Sequence, residues 1–68
     1  MNSYRVIIHY VIPSKLGGIQ SATQRLTVRA TTEDEAEKIG LIMGVSNPNY
    51  LYTQMVETSL LNNPLLSK

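Results

Sequence analysis

A chain of 68 residues makes one domain with a thin core, because a chain this short buries only about 60% of the surface its unfolded form exposes. Hydrophobic residues at 43% and charged residues at 16% exclude intrinsic disorder, and the absence of cysteine excludes disulfides, thiolate metal sites and cysteine nucleophiles. The net charge of +1 divides unevenly. Residues 1–30 carry Arg5, Lys15, Arg25 and Arg29 and no acid, whereas residues 31–68 set five acids against Lys38 and Lys68. The expected molecule has one basic and one acidic side. Small secreted domains usually need disulfides, and the sequence shows neither a signal peptide nor an apolar run of membrane-spanning length. A cytoplasmic setting in a bacterial cell, with no membrane contact, is therefore the expectation.

Residues 3–12 read as a strand. Tyr4, Val6, Ile8, Tyr10 and Ile12 alternate with Arg5, Ile7, His9 and Val11, and the first set forms an apolar or aromatic face suited to a core. Pro13 to Gly18 breaks the strand, since proline removes a ladder donor and glycine permits positive φ. A second strand follows over residues 20–30. Leu26, Val28 and Ala30 share its inward face, and Thr23, Arg25, Thr27 and Arg29 share the other. The short connection predicts an antiparallel hairpin.

Residues 31–44 predict a helix. Thr32 is a suitable N-cap, and Glu35 three residues on completes a capping box. Glu33, Asp34 and Glu35 stand in the first turn, where the helix dipole favours negative charge. Ala36, Ile39, Gly40 and Met43 fall on one helical face, and Gly40 predicts close approach to the sheet. Gly44 suits the position that ends a helix. Asn47-Pro48-Asn49 is a turn, and residues 50–60 read as a third strand. The inward face of that strand is ambiguous, because Tyr50, Tyr52 and Val56 compete with Leu51 and Met55.

The expected architecture is α+β: a two-layer ββαβ domain over residues 1–60, with one helix on one face of a three-stranded sheet, and a tail at 61–68. The third strand is expected parallel to the first and beside it, joined by a right-handed crossover. One helix cannot hide both faces of a sheet. The face carrying Arg5, His9, Thr23, Arg25, Thr27 and Arg29 is therefore expected to stay open.

Catalytic chemistry finds no constellation. His9 is the only histidine, and no acid lies within twenty residues of it in the sequence. The acids Glu33, Asp34, Glu35 and Glu37 point in different directions around a helix, which is poor geometry for a metal. Gly17-Gly18 lacks the spacing of a phosphate loop. The chain is expected to be no enzyme and to use no cofactor and no metal.

Three surfaces remain as binding candidates. The first is the open sheet face, with Arg5, His9, Arg25, Thr27 and Arg29. It suits a protein partner or phosphates, or it is simply solvated. A pI near 8.1 is low for a nucleic-acid binder. The second is the acidic helix surface of Glu33, Asp34, Glu37 and Leu41, which could dock on a basic host protein. Its Asp34–Lys38 spacing suits an attractive pair. The third is the leucine group Leu60, Leu61, Leu65 and Leu66, suited to a homodimer or partner contact or, equally, to a tail folded over the helix, unless the core absorbs Leu60 or Leu61. Unpaired strand edges are a further route to a partner.

At Arg29-Ala30-Thr31-Thr32-Glu33-Asp34-Glu35-Ala36 the hairpin passes into the helix. In this junction, through Ala30, Thr32, Glu35 and Ala36, the chain resembles small bacteriophage host-takeover proteins. These include a phage inhibitor of host RNA polymerase and, in length, some anti-CRISPR proteins. The chain differs from the polymerase inhibitor in having no tryptophan and a longer hairpin loop, and no binding residue is carried over. The resemblance implies a ββαβ fold and action by blocking a host protein complex. Nucleic-acid binding through the sheet face and a homo-oligomeric structural role are the alternatives.

Overall fold

The first strand, β1 (Asn2–Pro13), lies at the centre of the sheet and supplies most of the core. The computed structural model describes residues 1–61 of the chain. The second strand, β2 (Ile19–Ala30), pairs antiparallel with β1 along its whole length, from Asn2 opposite Ala30 to Pro13 opposite Ile19. A helix, α1 (Glu33–Met43), follows. The third strand, β3 (Tyr52–Leu60), then pairs with the other side of β1, so the sheet order is β2-β1-β3.

The fold is the expected α+β arrangement, but β3 runs antiparallel to β1 rather than parallel. The reason is in the chain path. After β2 descends beside β1, the helix returns the chain to the Val11 end, so β3 must descend as well. It runs in the direction of β2, with β1 between them. The parallel relation of a strand–helix–strand unit therefore joins β2 to β3 across the central strand.

Alternation along β1 sets the core. Tyr4, Val6, Ile8 and Tyr10 are buried together with Val28, Ala30 and Ala36, and Ile12, Leu26, Ile39, Val45 and Val56 pack around them. Gly40 lies directly on Val6: a β-carbon there would come within 2.7 Å of a Val6 methyl. Met43, expected on the same helical face, is instead exposed. The helix ends there. Gly44, at φ 74°, turns the chain, and Val45 takes the core position.

The helix start differs in one detail from a simple capping box. Thr32 accepts a hydrogen bond from the Glu35 N–H at 3.1 Å, as expected. The Glu35 carboxylate, however, accepts from the N–H and the hydroxyl of Thr31, both at 2.7 Å, one residue before the cap. These bonds, the backbone one first and the hydroxyl one second, hold the Glu35 carboxyl below its ordinary value of 4.5, with slight desolvation opposing them. A carboxyl lowered by folding contributes stability that is complete above its unfolded value and is lost as pH falls through its folded one. Glu35→Gln is therefore expected to flatten the acid limb of the stability curve. Urea midpoints measured between about pH 7 and about pH 3 check this.

The ambiguity in β3 has a structural cause. The register shifts between His9 and Tyr10: Met55 lies opposite His9, but Thr53 lies opposite Tyr10, which leaves Gln54 as the bulged residue. A bulge reverses the alternation. Thr53 points to the helix side below it, and Val56, Thr58 and Leu60 do so above it. The hydroxyl of Thr58 is buried there with no hydrogen-bond partner among the described residues. Thr58→Val keeps the shape and removes that cost, and it is expected to stabilise the domain by about 1 kcal/mol. A thermal melt should show a rise of about 4–8 °C.

An 11-residue helix is about 16 Å long, whereas a 12-residue strand spans about 40 Å. Helix and sheet therefore do not match in length, and β3 begins only opposite Val11. Beyond that row the hairpin stands out as a two-stranded arm. Its turn is closed by the Ser14 N–H donating to the Gly18 carbonyl and the Gly17 N–H to the Ser14 carbonyl. Leu16 at its tip is 97% exposed, and the described body measures 46 × 25 × 16 Å.

Candidate functional site

The outer face of the sheet, away from the helix, is built by the side chains that alternate with the core. The hairpin register places Arg29 beside Ser3, Thr27 beside Arg5, Arg25 beside Ile7 and Thr23 beside His9. All the basic and hydroxyl residues expected on this face are therefore brought together by one alternation. Arg5, Thr23, Arg25, Thr27 and Arg29 are exposed, and His9 is half-buried.

The third strand adds residues that sequence reasoning did not place here. Ser59, Glu57, Met55 and Tyr52 lie opposite Arg5, Ile7, His9 and Val11. Glu57 Oε1 comes within hydrogen-bonding distance, 3.2 Å, of the His9 ring at Nε2. His9 thus has an acid partner 48 residues away in the chain. The pairing of β3 with β1 is the signal that finds it, and the bulge at Gln54 hides that signal from simple alternation. Met55 and Tyr52, each 49% exposed, give this face apolar and aromatic surface. Val11, on the same side, is 1% exposed and stands apart from the helix-side core. Its carbonyl accepts the Leu51 N–H at 2.9 Å.

The face therefore carries Arg25 and Arg29 on the β2 edge, Arg5 on the central strand, Glu57 on the β3 edge, and Ile7, Met55 and Tyr52 among them. It can contact a surface that offers carboxylates and apolar side chains together. Among the described residues no pocket forms, and no group of three or more histidines and acids gathers.

The acidic candidates lie on the other layer. Asp34 is exposed and Glu37 is half-buried on α1, and no ion pair forms between Asp34 and Lys38. The three sheet arginines and the acids of α1 thus occupy opposite layers of the molecule, with Glu57 on the arginine side and Lys38 on the helix side. Of the leucine group, Leu60 faces the helix side beside Tyr4 but stays 52% exposed, and Leu61, whose N–H bonds to the Ser3 carbonyl at 2.8 Å, is also exposed. The core absorbs neither, because β1 already fills it at that row with Tyr4. Leu65 and Leu66 lie outside the described residues. No helix among the described residues is long and apolar enough to cross a membrane.

Family models, curated proteins and solved structures give no match to the chain. The four residues that carry the resemblance to phage host-takeover proteins have plain structural tasks: Ala30 and Ala36 are fully buried, and Thr32 and Glu35 fix the helix start.

Proposed function

We propose that the chain is a small non-catalytic protein-binding module that acts by occupying a partner's surface with the outer face of its sheet. The observation that carries this reading is the uncovered mixed face. Arg5, Arg25 and Arg29 stand exposed beside Met55 and Tyr52, opposite the layer that holds the core. Arginine and large apolar or aromatic side chains are the types that dominate protein interfaces. The fitting partner is a protein surface with carboxylates around an apolar patch. The junction resemblance adds a class of action: a phage or mobile-element protein that inhibits or modulates a host complex in the bacterial cytoplasm.

A second reading is nucleic-acid binding through the same face, favoured by the three arginines and by Tyr52, an aromatic available for stacking. Glu57 on that face weighs against a phosphate backbone. The two readings separate in a capture from bacterial lysate, with and without nuclease, at moderate salt. One stoichiometric protein that survives nuclease supports the protein-binding reading. Nucleic acid, or proteins lost on nuclease treatment, supports the second, and affinity should then fall steeply with salt.

A further inference from the structure

The free edge of β2 is a continuous pairing surface. The Ser14 N–H bonds to the Gly18 carbonyl at the hairpin turn. Alternation from that pair directs the N–H and C=O groups of even-numbered β2 residues to β1. The same alternation turns the odd-numbered groups of β1 to the other side, where the Ser3 and Val11 carbonyls take the Leu61 and Leu51 N–H groups. The backbone groups of Ile19, Ser21, Thr23, Arg25, Thr27 and Arg29 therefore point out of the sheet. Among the described residues they meet no backbone partner.

Natural sheets blunt such edges with bulges, prolines, short strands or charged side chains, and on β2 only the last of these is present, as Arg25 and Arg29. The β3 edge carries the bulge at Gln54. The β2 edge runs 12 residues in unbroken register, with no proline. We infer that β2 pairs antiparallel with β2 of a second copy of this chain, joining two three-stranded sheets into one continuous sheet.

The occupant is argued from self-complementarity. A two-fold axis at Gln24 pairs the whole edge. It sets Thr23 of one protomer beside Arg25 of its partner, Ser21 beside Thr27, and Ile19 beside Arg29. No two arginines are directly opposed, and the two copies of Arg25 lie diagonally across the axis. On the helix side, half-buried Leu26 meets Ala22 of the partner. The contact is isologous, and the bulged β3 edges leave it closed at two copies. The outer faces of both copies then lie side by side, which doubles the surface proposed above for a partner.

Sedimentation equilibrium on the full chain is expected to give twice the mass of the 7.6 kDa chain. Thr23→Pro removes an outward N–H and no bond to β1. It is expected to raise the dimer dissociation constant about tenfold or more. In the wild-type dimer the Ser21, Thr23, Arg25 and Thr27 amides should exchange slowly, and they should exchange faster on dilution. A monomer at every concentration overturns the proposal. So does a dimer that persists unchanged in a folded Thr23→Pro variant. If that variant does not fold, the wild-type amides decide: slow exchange supports the β2 edge, and fast exchange in a dimer overturns it.

Discussion

Gly40→Ala is expected to destabilise the domain, although alanine is the better helix former by about 1 kcal/mol. The added β-carbon would come within 2.7 Å of a Val6 methyl and 3.0 Å of its β-carbon. Val6 is fully buried in the middle of the central strand and has no free end to swing aside. The helix must lift, and overpacking of this kind costs about 1–3 kcal/mol or more. Set against the helix-propensity gain, the net loss is up to about 2 kcal/mol, which lowers the melting temperature by up to about 15 °C. Val6→Ala alone also destabilises, by opening a cavity. Together the two substitutions should cost clearly less than their sum, because the second makes room for the first. A thermal or urea melt of the two single variants and the pair checks this. A stabilised Gly40→Ala would mean that the helix does not sit on Val6.

The largest effect on binding is expected from Arg25→Glu combined with Arg29→Glu. Both side chains are exposed on the outer face, so the fold should be retained, as far-ultraviolet circular dichroism would show. Against an acidic partner the change replaces two attractions with two repulsions. Affinity should fall about a hundredfold or more, equivalent to about 3 kcal/mol. Asp34→Lys with Glu37→Lys, on the opposite layer, should leave affinity within a few-fold. Calorimetric titration of the captured partner with both double variants checks the pair. Reversed sensitivities would assign the contact to α1.

The hairpin could be read from sequence because one apolar alternation runs uninterrupted from Tyr4 to Tyr10 and another from Leu26 to Ala30. Their shared parity fixes both the core and the outer face. The helix could be read because its two ends carry local chemistry in Thr32, Glu35 and Gly44. What stayed hidden depends on non-local geometry. The bulge at Gln54 reverses parity within β3, so no single alternation assigns its faces, and Tyr52, Met55 and Glu57 went unplaced. His9 stands isolated in the sequence because its partner Glu57 is distant in the chain and near only through the β1–β3 register. Met43 lost its core position to Val45 because the turn at Gly44 redirects the chain, which helical spacing alone does not reveal.

A partner is expected to cover the outer face and leave the helix layer free, and the methionines report on this directly. Met55 lies on the outer face beside His9 and is 49% exposed, and Met43 ends α1 and is 59% exposed. The measurement is the relaxation of their ¹³C-labelled methyl groups by a soluble paramagnetic chelate, with and without saturating captured partner. The partner should shield the Met55 methyl while the Met43 methyl stays reachable. Shielding of Met43 with Met55 still reachable would contradict it.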